Sequence, residues 1–385
     1  MPDFSGTISS KLPRVGTTIF TVMSKLATEH NAINLSQGFP DFGSPAELLS
    51  AVSAAMKAGN NQYAPMPGVM KLREMIAEKT EELYGAKYNP ETEITITAGA
   101  TQAIYTAISA TIREDDEVII FEPAYDCYEP AIELNGGKTI YLQLKAPDYT
   151  IDWDEVKKVV NHHTRMIIIN SPHNPCGSVL KAEDMKQLEK ITKNTEIIIL
   201  ADEVYEHIIF DGHVHESMAK YPELASRSFI ISSFGKTFHT TGWKIGYCVA
   251  PKELMAEFRK VHQFNVFCVN TPMQFGIVEF LKNKKHYKEL GSFYQAKRDK
   301  FNKLLKGSRF SLVPSPGTYF QLLSYDKITN EKDADYAVRL IRENGIASIP
   351  ISVFYHKPVF DNMLRFCFAK KDETIEKAAE ILKKI

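Results

Sequence analysis

Apolar positions in this chain fall into short unbroken runs with helical stripes between them. From about residue 45 to 275 the runs are "EITIT", "DEVIIFEP", "KTIYLQL", "RMIIINSP", "EIIILADE", "SFIISSF" and "IGYCVAP". Between the first two lies "ATQAIYTAISATI", with largely apolar pairs at 103/104, 107/108 and 111/112, the stripe of an amphipathic helix. Continuous apolar strands alternating with helices predict an α/β fold: a mostly parallel seven-stranded sheet covered on both faces. From about 276 the pattern changes to long polar helices ("EFLKNKKHYKELGSFYQAKRDKFNKLL"), then short strands at "GTYFQLL", "IASIPISVF" and "MLRFCFA". The expected organisation is an N-terminal arm (1–44) packing on another domain or subunit, a large domain (45–275) and a smaller α+β domain (276–385).

In parallel sheets ligands bind at the carboxyl ends of the strands, so the residues after each strand carry the information. "EITIT" is followed by "AGAT", a small-residue turn opening the striped helix. "VIIFEP" is followed by "AYDCY", and "MIIIN" by "SPHNPCG". "IIILADEVY" ends in Asp202, with Tyr205 just beyond. "FIISSF" runs into Gly235-Lys236. One sheet edge is thus predicted to collect an anion-binding turn, an aromatic, an asparagine, an acid with a tyrosine, and a lysine.

Composition narrows the classes. Of 385 residues, 44% are hydrophobic and 24% charged, as in ordinary globular proteins. A net charge of −1 gives no general reason to bind nucleic acid or an anionic membrane. Five scattered cysteines (Cys127, Cys176, Cys248, Cys268, Cys367) form no CxxC pair, which suits a reducing compartment. The start "MPDFSGTISSKLPRVGTTIF" lacks the pattern of a signal peptide, and no apolar run is long enough to span a bilayer. The expected location is the cytoplasm.

Lys236 ends an apolar run amid glycine, serine and threonine, with a second cation, Lys244, eight residues on. A lysine near another cation or in a dry pocket loses its proton more easily, and a neutral amine forms Schiff bases with aldehydes. A solvated charge is the plain alternative. Pyridoxal 5′-phosphate needs such a lysine, an acid at its pyridine nitrogen and an anion site. Asp202 is the natural acid, against a plain helix cap. Gly99, Ala100 and Thr101 form the anion turn, with a hydroxyl from Ser233 and a charge from Lys244. Tyr125 can stack on the ring or fill the core. Asn174 and Tyr205 can donate to the ring oxygen. Arg365, apolar on both sides in "MLRFCFA", needs an anion: a substrate carboxylate or an internal acid.

The ordered motifs "SQGFPDF", "NQYAPMPG", "TAGATQAIY", "EPAYDCYEP", "NSPHNPCG", "ADEVYEHI", "SSFGKTFHTTGWKIGYCVAP" and "LRFCFAKK" resemble those of class I/II pyridoxal-phosphate aminotransferases of fold type I, over essentially the whole chain. "LPRVGTTIFTVMSKLA" and "YAPMPGV" resemble the kynurenine aminotransferase branch and, within it, bacterial methionine aminotransferases. The resemblance implies a ping-pong aldimine/ketimine mechanism from an L-amino acid to a 2-oxo acid. It implies Lys236 as Schiff-base lysine and proton shuttle, Asp202 at the pyridine nitrogen, and Tyr205 and Asn174 at the ring oxygen. It also implies Tyr125 on the ring and Ala100, Thr101, Ser233 and Lys244 at the phosphate. Tyr63 would reach the neighbouring subunit's cofactor in a homodimer. Arg365 would take the substrate carboxylate with Asn174 and the Gly38 backbone.

Two departures stand out. Lys244 replaces an arginine common in the family. The segment "GTTIF" and Cys268 lack the tryptophan and histidine of animal kynurenine aminotransferases. Ile19, Phe20 and Phe267 therefore suggest an apolar side-chain pocket for methionine or aromatic donors. Rival readings are a β-lyase using the same cofactor, which the sequence leaves open, and an aminotransferase-like regulator, which would bring a basic DNA-binding domain. His207, His213 and His215 offer no fourth-ligand pattern for a metal. No GxGxxG follows an early strand, against a nicotinamide dehydrogenase.

Overall fold

The computed structural model describes residues 6–357 and 359–385. The first five residues of the expected arm, and Pro358 in the expected C-terminal domain, lie outside the described residues.

Every apolar run of the alternating region is a strand: β1 (Ile94–Thr97), β2 (Glu117–Glu122), β3 (Lys138–Gln143), β4 (Thr164–Asn170), β5 (Ile198–Asp202), β6 (Ser228–Ser233) and β7 (Gly246–Val249). They form one seven-stranded sheet in the order β1-β7-β6-β5-β4-β2-β3. Six run the same way, and β7 runs against both of its neighbours. Isoleucine and other β-branched residues suit a pleated surface buried on both faces. Central β5 and β6 are accordingly buried at every position, whereas edge strand β3 is nowhere fully buried.

The striped helix is Gly99–Thr111, and it turns Ala103, Ile104, Ala107 and Ile108 onto one sheet face. Helix Thr271–Leu281 packs on helix Ala46–Lys57 so tightly that a Cβ on Gly276 would lie 2.2 Å from Val52 Cγ2. This helix spans the expected 275/276 boundary.

The C-terminal part holds a three-stranded antiparallel sheet of β8 (Phe320–Ser324), β9 (Ile349–Pro350) and β10 (Met363–Cys367), with β10 in the middle. "IASIPISVF", expected as one strand, divides into Ile346–Ala347, β9 and a short 3-10 turn, Ile351–Phe354. The break has a cause. Pro350 has no N–H to continue a ladder, and the Asp333 carboxylate binds Ser352 through its N–H (2.7 Å) and hydroxyl (2.6 Å). Ile33–Asn34 from the N-terminal segment pairs in parallel with Ile346–Ala347. No helix among the described residues is long and apolar enough to cross a membrane.

Candidate active site

The carboxyl ends of β1, β4, β5 and β6 surround a cavity of about 120 Å³. Gly99, Ala100, Thr101, Tyr125, Asn174, Asp202, Tyr205, Ser233, Lys236 and Lys244 all line it. Residues scattered over 146 positions of sequence (99 to 244) meet there because each ends or follows a strand of one sheet.

The anion turn is built by close backbone approach. Gly99 has φ +78°, and a Cβ there would sit 3.1 Å from Lys244 Cε. Across the sheet Gly246 pairs with Thr97 and Ser233. A Cβ on Gly246 would come within 3.1 Å of the Ala100 nitrogen. Helix Gly99–Thr111 has no side-chain cap and no acid in its first turn. Its leading N–H groups and dipole therefore face the cavity, with Lys244 beside them.

Asp202 is the last residue of β5 and only 4% exposed. Its Oδ2 accepts from the Tyr128 hydroxyl at 2.6 Å, and its Oδ1 from the Val204 N–H at 3.4 Å. It serves no helix cap. Burial raises its pKa to about 6, against the lowering influence of Tyr128, Val204 and Lys236. A carboxylate this poorly compensated has room for a cationic partner.

Lys236 lies deep in the protein, with part of its surface facing the cavity. Its amine donates to the Gly38 carbonyl (3.2 Å) and the Tyr319 hydroxyl (3.1 Å), and it makes no salt bridge among the described residues. Burial lowers its pKa from 10.5 to about 8, helped by Arg365 and Lys244. The amine is thus accessible in its nucleophilic form near neutral pH.

Arg365, in the middle strand β10, is 1% exposed. One Nη donates to Asn174 Oδ1 (2.7 Å), the other to the Ser36 carbonyl (3.1 Å), and Nε has no partner. Its guanidinium lies 3.9 Å from the Phe320 ring centroid and 5.4 Å from those of Phe20 and Phe354. No carboxylate forms a salt bridge with it among the described residues; Asp126 acts on its charge only from farther away.

Two expected residues stand elsewhere. Tyr63 is 81% exposed and Phe267 43% exposed, and their rings meet edge-on at 5.2 Å. Neither lines the cavity of its own chain. Phe20 instead packs near Phe354 (6.1 Å) beside an open cleft of about 390 Å³ that shares Tyr125 with the cavity. Sequence reasoning missed Tyr128, Asn170, Thr241, Phe354 and Tyr319. Tyr128 carries the one available signal: it is the second tyrosine of "AYDCY". His207 and His215, considered together as ligands, face different acids, Glu206 (3.7 Å) and Glu203 (2.9 Å).

Comparison with known proteins decides the family. The profile described as aminotransferase class I and II matches residues 30–382. The chain belongs to the class I and II aminotransferase family. It transfers amino groups of amino acids, on the fold of type I aminotransferases. A methionine aminotransferase of Escherichia coli is 47% identical over 377 residues, covering 98% of both chains. A crystal structure from Escherichia coli identified with a methionine aminotransferase function superposes with a TM-score of 0.97, covering 98% of this chain and 100% of that one. The N-succinyldiaminopimelate aminotransferase of Mycobacterium tuberculosis is 35% identical with a TM-score of 0.94, covering 98% and 100%. Human kynurenine–oxoglutarate transaminase 1 is 31% identical over 395 residues, covering 94% of both chains. The family as a whole depends on pyridoxal phosphate.

Proposed function

We propose that this aminotransferase holds pyridoxal 5′-phosphate at the strand ends and takes L-methionine, or a donor with an aromatic or related apolar side chain. The observation that carries the reading is Lys236: a deep amine with no acid partner among the described residues, sharing one cavity with the under-compensated Asp202.

The residues present fit that cofactor. Lys236 would hold it covalently, Asp202 would face the pyridine nitrogen and Tyr125 the ring. Tyr205 and Asn174 would serve the ring oxygen. Gly99, Ala100, Thr101, Ser233 and Lys244 would hold the phosphate. When bound, the cofactor supplies an electron sink for the charge left at the substrate Cα. Lys236 would supply the base: its neutral nitrogen would take the substrate Cα proton and hold it for return. Asp202, ionised against a cation, keeps that cation protonated. Arg365 orients the substrate by its carboxylate, with Asn174 and the Gly38 backbone beside it.

Ile19, Phe20 and the cleft beside Phe354 support an apolar side-chain subsite. The 47% identical methionine aminotransferase supports the donor. We further propose a cytoplasmic homodimer in which Tyr63 and Phe267 enter the partner's site. Their exposure, with the 91% exposed Phe264 nearby in sequence, supports this. The five cysteines, none in a disulfide, suit that compartment. The arm (1–44), large domain (45–275) and small domain (276–385) remain the proposed division, except that helix Thr271–Leu281 is continuous across the 275/276 boundary and goes with the large domain it packs on.

The test is the visible spectrum of the protein with pyridoxal phosphate, before and after L-methionine without an acceptor. Loss of the yellow band with one equivalent of 2-oxo acid per site is expected. An unchanged band overturns methionine as donor; release of pyruvate and ammonia from a cysteine conjugate would reveal β-lyase activity.

A further inference from the structure

Tyr319 sits immediately before β8, far in sequence from the other cavity residues, yet its hydroxyl lies 3.1 Å from the Lys236 amine. The same hydroxyl donates to the Gly38 carbonyl at 2.6 Å. Its single proton is thereby committed. Toward Lys236 it presents only lone pairs, so Lys236 must be the donor.

A neutral primary amine has two N–H bonds and one lone pair. Both N–H bonds of Lys236 have acceptors on the same side, the Gly38 carbonyl at 3.2 Å and Tyr319 at 3.1 Å. Tetrahedral geometry then turns the lone pair away from these two, toward the cavity. We propose that Tyr319 is a positioning residue: with Gly38 it fixes the rotation of the Lys236 amine so that its basic lone pair faces the substrate Cα. This inference rests on the reading of Lys236 as the base. When the Cα–H bond breaks, the proton takes that lone pair and becomes the third N–H. The electron pair stays on carbon, and the other two N–H bonds are undisturbed. Returning the proton restores the starting geometry.

The surroundings hold the hydroxyl in place. The Tyr319 ring is fully buried, nearly perpendicular to Tyr205 at 5.2 Å and against Phe320 (5.0 Å) and Tyr294 (5.6 Å). Its carbonyl accepts the Phe368 N–H at 3.0 Å. Burial pushes its own pKa well up, so it stays a phenol and does not compete as a base. The Gly38 carbonyl reaches the amine because residue 38 has no side chain; a Cβ would lie 2.9 Å from Phe320 Cζ.

The test compares Tyr319→Phe, which keeps the ring, with Tyr294→Phe, a neighbour that bonds His239 and not Lys236. Trace labelling of the apoenzyme with acetic anhydride, read at the Lys236 peptide across pH, reports the amine directly. Removing one acceptor destabilises the ammonium more than the amine, so Tyr319→Phe lowers the labelling midpoint by about half a unit or more. With holoenzyme and α-deuterated methionine, the same variant shows a larger kinetic isotope effect. Its kcat is at least about tenfold lower, with KM nearly unchanged. Tyr294→Phe keeps the wild-type midpoint and isotope effect. A wild-type midpoint and isotope effect in Tyr319→Phe would overturn the proposal, as would equal changes in both variants. If borohydride fails to fix pyridoxal phosphate to Lys236 in the wild-type protein, the cofactor reading falls instead. The apoenzyme midpoint then still decides whether Tyr319 governs the amine.

Discussion

Asp202 and Glu206 stand four residues apart in "ADEVYE", and both are buried, at 4% and 7% exposure. They have opposite fates. Asp202 accepts one hydroxyl and one long N–H bond, and burial leaves its pKa raised to about 6. Glu206 accepts from Lys79 (2.7 Å), Ser232 (2.7 Å) and Tyr247 (2.9 Å) on one oxygen and from Tyr84 (2.7 Å) on the other. Burial pushes Glu206 up too, but the Lys79 ammonium, His207 and these hydrogen bonds outweigh it and hold it well below the ordinary value. One turn thus carries a poised acid on the cavity side and a sealed one behind the sheet. The sealed acid ties helix Met70–Tyr84 to β6 and β7, the scaffold under Ser233. Burial alone does not make a functional acid; burial without enough partners does.

Lys236 and Arg365 belong to the poised side, so the largest effect is expected there. Lys236→Ala should lower turnover by at least about 10³-fold, measured as 2-oxo acid release. Activity within tenfold of wild type would place the chemistry elsewhere.

On the sealed side, Glu206→Ala strands the Lys79 ammonium in the interior. It should cost about 3–5 kcal/mol in urea unfolding, and adding Lys79→Met should recover part of the loss. A loss below about 1 kcal/mol would erase the distinction between the two acids.

Asp202→Asn should move stability the other way. The folded protein binds the Asp202 proton more tightly than the unfolded chain, so ionising it costs stability as pH rises from about 4 to about 6. Above pH 6 that cost is of order 3 kcal/mol. The apoprotein of Asp202→Asn should therefore be the more stable at pH 7.5 and equal to wild type near pH 4, while binding pyridoxal phosphate less well. An apoprotein destabilised at pH 7.5 would mean that Asp202 is as satisfied as Glu206.

The smallest effect is expected at Arg365, which like Lys236 has no salt-bridge partner among the described residues. Arg365→Ala should raise KM by about 10- to 100-fold for methionine and phenylalanine alike. A loss confined to one side-chain class would assign it to side-chain recognition.

The strands and their chemistry-bearing ends were legible because both follow from local pattern. Seven apolar runs became seven strands, and Lys236, Asp202, Asn174 and the Gly99 turn lie where a parallel sheet gathers ligands. What stayed hidden is non-local. Nothing in "IGYCVAP" says that β7 runs backwards, since a doubly buried strand reads alike in either direction. Tyr128 meets Asp202 across 74 residues. Tyr319 reads as the start of a small-domain strand, "GTYFQLL", until folding brings it to Lys236. The seal around Glu206 draws Lys79 from 127 residues away. Tyr63 and Phe267 point out of their own chain, a placement that no local pattern encodes.

The most direct test of the poised site is to load the protein with pyridoxal phosphate, reduce it with borohydride and map the peptides by mass. The account predicts one stable adduct, on Lys236, and none in Lys236→Ala. An adduct on another lysine, or a wild-type protein left unlabelled, would contradict it.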